Sequence, residues 1–463
     1  VEKDDEKRRF QAVRGTRDIL PPESAKWLWL ERKFRGVLSR FGYSEIRTPI
    51  FEHTELFNKG TGESTDIVLK EMYTFEDKRG RSLTLRPEGT PSVARSVIEH
   101  GLLGRSKVLK LYYFGPMFRY GRPQSGRFRQ FDQVGAELIG DVSVEGDAES
   151  IHLHVALLRE LGLKSFGVKI NSVGCKKCRP YYAKIIQDRL KDTLDGLCDD
   201  CKVRFNRNPL RILDCKVENC KSAVAKVPSI LECLCEECTT RFEELKKRLE
   251  AISLDFEIDP GLVRGLDYYT KTAFEIHHSM LGAQSALGGG GRYDGLIELY
   301  GGPPTPAVGF AAGLDRILLA VEKEKIEVPL LTGVDVYVVS VSEKTREKCF
   351  AVAAVLRETL RVDLDLTRRS LQAQMKAADS LGALFCVIIG EDELGSGMFT
   401  VKNMKSGQQE TVAEATLRNY LENWLGSETL DSGLGPKASD SRLGHKTPDN
   451  QPGPKTSDSR GEK

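Results

Sequence analysis

The stretch Leu262-Val263-Arg264-Gly265-Leu266-Asp267-Tyr268-Tyr269-Thr270 sets a guanidinium and two phenols where a loop marked by Asp259 and Pro260 runs into the alternating residues Thr272 to Ile276. Alternation predicts a strand there. An arginine beside two phenols can grip something small and polar, although a Tyr-Tyr pair at a strand entrance fits packing as well. A second group, Arg119, Arg122 and Arg127, lies in a joint rich in glycine and proline between two strand-like runs. Clustered guanidiniums suit bidentate binding of phosphate or carboxylate, and the competing reading is a solvated basic turn. Gly288 to Gly291, followed by Arg292, Tyr293 and Asp294, would let a backbone approach a flat ligand closely. The run lacks the spaced glycines of a dinucleotide fingerprint, and the chain has no Gly-Lys dipeptide for a P-loop, so both of those chemistries fit poorly.

Of the 11 cysteines all but Cys349 and Cys386 lie between Cys175 and Cys238. Cys175-x2-Cys178 and Cys198-x2-Cys201 have zinc-ribbon spacing, and Cys215, Cys220, Cys233, Cys235 and Cys238 follow. The expectation is a structural zinc held by Cys175, Cys178, Cys198 and Cys201; the alternative is reduced, partly buried thiols.

The elements that must position these groups are legible in outline. After Gly15-Thr16-Arg17-Asp18 and the prolines at 21 and 22, Trp27, Leu30, Phe34, Val37 and Leu38 predict a helix from about Ser24 to Arg40. A strand from Ser44 to Phe51, interrupted by Pro49, should follow, then a hairpin from Met72 to Leu85 turning at Asp77 to Gly80. Glu88 and Thr90 open a further helix. Strands are predicted over Leu109 to Phe118, Arg129 to Ile139 and Ala273 to His278, a helix over Asp147 to Leu161, and a strand running into a helix over Val308 to Leu319. Beyond Pro329, Val334 to Val341, Arg346 to Leu360, Val362 to Leu366, Leu371 to Leu381 and Leu384 to Ile389 read β, α, β, α, β.

The domain reading is a charged segment over 1–9, a main domain over 10–328 with a cysteine-rich helical insertion at 175–250, a linker at 329–333, an α/β domain over 334–425 and a tail over 426–463. The tail repeats Gly-Pro-Lys-x-Ser-Asp-Ser-Arg and has almost no apolar residue, so disorder is expected. With 69 Lys and Arg against 67 Asp and Glu, the net charge of +2 offers no global field for nucleic acid, and RNA contact must come from local clusters. No apolar run approaches the roughly 20 residues needed to cross a bilayer, so a cytoplasmic protein with no membrane partner is expected.

Taken in order, Gly-Thr-Arg-Asp at 15–18, Leu-Arg-Pro-Glu-Gly-Thr at 85–90, Arg-Gln-Phe-Asp-Gln at 129–133 and Gly-Gly-Gly-Gly-Arg-Tyr-Asp at 288–294 resemble the histidyl-tRNA synthetase family, whose own peptide matches 262–270. Arg119 with its loop resembles motif 2 of class II aminoacyl-tRNA synthetases, Gly313 to Arg316 resembles motif 3, and the segment ending at Pro49 resembles motif 1. The resemblance covers about residues 10 to 425. It implies an α+β fold in which an antiparallel-sheet catalytic core with a helical insertion is followed by an α/β anticodon-binding domain. It further implies a homodimer that activates L-histidine with ATP and Mg2+ and charges tRNA(His). Arg119, Arg264 and Arg316 would bind ATP and stabilise the reacting phosphate; Glu88, Thr90, Gln133, Glu137, Tyr268 and Tyr269 would bind histidine. Arg122, Gln124 and Arg127 would meet the tRNA acceptor end, and Arg368 and Arg369 the anticodon. Gly121 stands where the family's motif 2 has an acidic residue, and Asp132 where a histidine is frequent, which points to altered ATP affinity. The competing reading is a noncatalytic regulatory paralogue that assists ATP phosphoribosyltransferase; such paralogues typically lack the anticodon domain and degrade the 262–270 peptide.

Overall fold

The computed structural model describes residues 10–62, 65–124, 126–329 and 333–432. The chain divides into two compact units, residues 1–330 and 331–463. The first helix, Glu23–Arg40, buries Trp27, Leu30, Phe34, Val37 and Leu38. These are the five residues that the helical spacing selects, because a period of 3.6 aligns them on one face. Pro49 splits the extended stretch that follows into β1 (Ser44–Glu45) and β2 (Phe51–His53), which go to different sheets. The single interrupted strand expected here is thus two, since proline brings no N–H to a ladder. β3 (Tyr73–Glu76) and β4 (Ser82–Leu85) form the expected hairpin and join β2 in a three-stranded sheet. Asp77 Oδ1 closes the turn by accepting from the backbone N–H of Arg79 and Arg81.

The main sheet combines β1 with β5 (Leu109–Phe118), β6 (Gln130–Ile139), β7 (Phe166–Ser172), β8 (Glu257–Ile258), β9 (Thr270–His278), β10 (Ala286–Arg292) and β11 (Ala307–Gly313). Its order is β1-β5-β6-β11-β10-β9-β7-β8. Every pairing from β5 to β7 is antiparallel, and the outermost pairs, β1 with β5 and β7 with β8, are parallel. β7 is among the strands that the sequence reading lacks, as is β8, although Val168 and Ile170 alternate with Gly167, Lys169 and Asn171.

Helices Glu23–Arg40, Val144–Glu160, Glu236–Ala251 and Leu314–Lys323 contribute to one core with the sheet, in which Phe34, Ile151, Leu245, Phe274, Phe310 and Ile317 are buried. Each such side chain contributes roughly 1.5–3 kcal/mol by leaving water. Phe242, Leu245 and Leu249 belong to this core, so the last helix of the 175–250 segment packs with the sheet. The segment's separate small core is built from Tyr182, Ile186, Leu190, Leu210, Ile212 and Ile230 among others.

In the second unit β12 (Val336–Ser340), β13 (Val362–Leu364) and β14 (Phe385–Ile389) are parallel, with helices Arg346–Leu356 and Leu371–Ser380 between them, as the alternating pattern predicts. β15 (Met398–Asn403) and β16 (Gln409–Ala413) add an antiparallel pair, giving the order β13-β12-β14-β15-β16. The last helix, Glu414–Ser432, runs past 425 into the stretch expected to be tail. Residues 1–9, 330–332 of the expected linker, and 433–463 of the expected tail lie outside the described residues. No described helix is long and apolar enough to cross a membrane.

Candidate active site

A cavity of about 360 Å³ opens over β6, β11, β10 and β9. Gln133, Ala311, Gly288, Gly289 and Glu275 form its floor. Arg119 and Arg127 enter from the joint between β5 and β6, Arg264, Tyr268 and Tyr269 from the loop before β9, and Arg316 from the start of the helix after β11. Glu88 and Thr90 close it from the start of helix Thr90–Glu99.

Cations gather at one side. Arg119 Nε donates to the Pro87 carbonyl at 2.8 Å, and its guanidinium stands 5.4 Å from the Phe131 ring centroid. Arg316 donates to the carbonyls of Gly126 at 3.1 Å and Ala286 at 2.9 Å, and Arg127 Nη2 to Glu71 at 2.7 Å. Burial, then the neighbouring charges of Arg127 and Arg119, draws the Arg316 guanidinium below its ordinary value. Arg119 is also drawn down, chiefly by burial. Arg119 and Arg316 on carbonyl oxygens, with Arg127 on Glu71, repel one another and together make a receptor for an anion.

Arg264 is held differently, by an ion pair with Glu275. Gly289 stands directly opposite Glu275 in the β9–β10 register. A Cβ on Gly289 would lie 2.9 Å from Arg264 Nη1 and 2.5 Å from the Phe274 carbonyl oxygen. The glycine run therefore makes room for a side chain of the protein itself, and Gly288 and Gly289 also face the cavity. Burial pushes the Glu275 carboxyl up, but Arg264 and His277 outweigh it and hold it at about 2.

The other side is buried and carries two carboxyls. Glu88 accepts from Thr61 at 2.6 Å and from Tyr268 OH at 2.7 Å, and burial raises it above the ordinary carboxylate range. Glu137 lies outside the cavity wall, behind Thr90: it accepts from Thr90 Oγ1 and from Tyr293 OH, each at 2.6 Å. Burial pushes it up to about 8. Two buried polar atoms at the site have no hydrogen-bond partner among the described residues, the acceptor Gln133 Oε1 and the donor Arg264 Nε. An ammonium and an anionic oxygen would satisfy them.

This geometry meets the comparisons with known proteins. The family model described as histidyl-tRNA synthetase matches residues 15–177 and 207–317, and that of an anticodon binding domain matches 335–424. The chain belongs to the histidyl-tRNA synthetase family. Membership makes it an ATP-dependent aminoacyl-tRNA ligase of class II. It is 50% identical over 414 residues to a histidine–tRNA ligase of Caldanaerobacter subterraneus, covering 89% of this chain and 99% of that one. A histidine–tRNA ligase of Thermoanaerobacter is 51% identical with the same coverage. The apo histidyl-tRNA synthetase of S. aureus superposes with a TM-score of 0.78 at 38% identity, covering 89% of this chain and all of that one.

Within this synthetase fold the expected site residues divide. Arg119, Arg264, Arg316, Glu88, Thr90, Gln133, Tyr268 and Tyr269 share the cavity. Arg127, expected beside Arg122 and Gln124 at the tRNA acceptor end, turns inward onto the cavity wall, while Arg122 and Gln124 are exposed. In the second unit Arg368 is exposed and pairs with Glu343 at 3.5 Å, whereas Arg369 is held by the buried Asp365 at 2.7 Å. Glu275, Glu71 and Asp315 were not selected from the sequence. Asp315 pairs with Arg17 of the 15–18 motif at 3.1 Å and accepts from the Asp132 N–H at 3.2 Å. Its place beside Arg316 in the Gly313 to Arg316 motif is a sequence signal that could have suggested it.

The cysteines correct the expected zinc set. Cys175 and Cys178 converge with Cys235 and Cys238, and Cys198 and Cys201 with Cys215 and Cys220. The two Cys-x2-Cys pairs therefore belong to different clusters, because the helices that follow each pair carry them to separate partners.

Proposed function

We propose that the cavity carries out both steps of histidine–tRNA ligation: L-histidine and ATP give histidyl-adenylate and pyrophosphate, and a terminal ribose hydroxyl of tRNA(His) then attacks the adenylate carbonyl, taking the histidyl group and releasing AMP. The observation that carries this reading is one cavity holding mutually repelling guanidiniums beside an orphaned acceptor, Gln133 Oε1, and an orphaned donor, Arg264 Nε.

In the first step the histidine carboxylate attacks the α-phosphate in line, and charge gathers on phosphoryl oxygens, so positioning and electrostatic stabilisation suffice without a nucleophilic side chain. Arg119 holds the α-phosphate, Arg316 the γ-phosphate, and Arg264 bridges the carboxylate and α-phosphate. Arg127, inward-facing, joins this set in place of its expected tRNA contact. Glu88, Thr90 and Gln133 take the α-amino group, with Tyr268 orienting Glu88 through its hydroxyl. Tyr269 meets one side of the imidazole. Glu137 accepts the ring N–H once Thr90 releases it, which suits its position behind that residue. A site bonding both ring nitrogens rejects analogues that lack them.

Glu88, Glu275 and Asp315 on the wall are each already engaged by neighbouring donors. Mg2+ therefore fits as a companion of the nucleotide phosphates, where it supplies charge neutralisation for the leaving pyrophosphate. Arg122 and Gln124 meet the acceptor end of the tRNA, and the second unit, through Arg368 and less freely Arg369, its anticodon. The exposed Ile50, Phe51 and Phe75 beside the motif 1 segment support a homodimer through that face. A cytoplasmic location suits a chain whose 11 cysteines are all free thiols. Histidine-dependent ATP–pyrophosphate exchange followed by charging of tRNA(His) tests the reading. Folded protein inactive in both would favour the regulatory paralogue, against which the 335–424 anticodon-domain match already argues.

A further inference from the structure

Eight thiols outside the cavity form two groups of four, and within each group the sulfurs all lie within 4.8 Å of one another. Cys175 Sγ is 3.6 Å from Cys178 Sγ and 3.8 Å from Cys235 Sγ; Cys198 Sγ is 3.8 Å from Cys215 Sγ. A disulfide needs about 2.05 Å. Four thiolates at about 2.3 Å from a tetrahedral zinc stand about 3.8 Å apart, the edge of that tetrahedron. Backbone N–H groups already donate to the sulfurs: Lys177 to Cys175 at 3.3 Å, Cys235 to Cys178 at 3.1 Å, and Cys198 to Cys220 at 3.3 Å.

Each group is also tied to the loop that carries Arg264, Tyr268 and Tyr269. Arg179, the residue after Cys178, donates through Nη1 to the carbonyls of Asp267 at 3.1 Å and Tyr269 at 2.9 Å. Arg211, buried, donates to the Arg264 carbonyl at 2.8 Å, and Asn208 to Asp267 Oδ1 at 2.8 Å. The short turn holding these two runs directly into Cys215, whose N–H bonds to the Ile212 carbonyl.

We propose that the protein carries two structural zinc ions per chain, one on Cys175, Cys178, Cys235 and Cys238 and one on Cys198, Cys201, Cys215 and Cys220, which together brace the loop bearing Arg264, Tyr268 and Tyr269. The first ion ties the two ends of the cysteine-rich segment, 60 residues apart between Cys175 and Cys235, and closing so long a loop removes much of the unfolded chain's freedom. The second fixes the turn that presents Arg211. The bracing role rests on the histidine-binding reading of that loop; the metal content does not.

The test is metal analysis of the full-length, freshly reduced protein, purified without chelator from zinc-supplied cells. Two zinc ions per chain are expected. Cys235→Ser and Cys215→Ser should each lose one ion, their double variant both, and Cys233→Ser none. Titrating the wild type with an organomercurial in the presence of a chromogenic zinc chelator should release both ions, which tests the claim even if a serine variant fails to fold. Hydrogen exchange at residues 262–269 should then quicken about tenfold or more. One zinc ion per chain or fewer in wild type, or no zinc left in either Cys178→Ser or Cys201→Ser, as a single shared site requires, overturns the two-site assignment. Two ions whose removal leaves exchange at 262–269 unchanged overturns the bracing. Two ions and quickened exchange in a protein unable to activate histidine would leave this inference standing and sink the ligase reading instead.

Discussion

Arg264 is ion-paired with Glu275, which lies opposite Gly289 in the neighbouring strand, so the guanidinium rests over the glycine at the edge of the cavity. A charged side chain is thereby held ready without a bound anion, and its Nε remains unbonded among the described residues.

Arg264→Ala removes that group. Histidine-dependent pyrophosphate exchange should fall at least about a thousandfold while histidine affinity falls less than tenfold, because the guanidinium acts most on charge that develops in the transition state. Glu275 is then left partly buried without its cation, and denaturant unfolding should show a loss of about 3 kcal/mol. Comparable losses in exchange and in affinity would show that the arginine only binds substrate.

Gly289→Ala tests the space itself. The added methyl meets the Phe274 carbonyl oxygen and Arg264 Nη1, and backbone oxygen cannot swing aside. A shift of the guanidinium by about 1 Å should lower kcat/KM for ATP roughly a hundredfold. Steady-state kinetics equal to wild type would mean that Arg264 is not confined by this contact.

Glu137, buried and pushed up to about 8, predicts a pH signature. The folded protein keeps this proton where the unfolded chain, with an ordinary glutamate, has lost it. Its stabilising contribution is therefore complete below the unfolded value of about 4.3 and declines as pH rises, until the folded value of about 8 is passed. Against Glu137→Gln, which is neutral throughout, wild-type stability should decline between pH 5 and 8 by up to about 1.4 kcal/mol per pH unit. Parallel curves from urea unfolding would show that the carboxyl is ionised in the fold.

Arg368 and Arg369 should separate. Arg368→Ala ought to raise KM for tRNA severalfold, more at low salt than at high, and leave pyrophosphate exchange unchanged. Arg369→Ala should instead lower the stability of the second unit in denaturant unfolding, since Asp365 is buried and loses a charged donor. Equal effects of both substitutions on tRNA and on stability would remove the distinction.

The sequence by itself determined the local elements and the chemical inventory. The apolar spacing of Trp27 to Leu38 defines its helix, Asp77 to Gly80 turns its hairpin, and the motifs name eight of the residues that share the cavity. These follow from backbone preferences and side-chain type within a few residues, or from motifs whose order is itself a sequence property. Strand register and helix docking belong to the tertiary structure alone. They placed Glu275 against Arg264 and Glu137 behind Thr90 opposite Gly309, and they turned Arg127 inward. They also dealt eight cysteines into two groups where the local Cys-x2-Cys spacing had suggested one. The physical reason is common to all four: which side chain meets which across tens or hundreds of residues is decided by how sheet and helices bury their apolar faces together, and local periodicity carries no record of that.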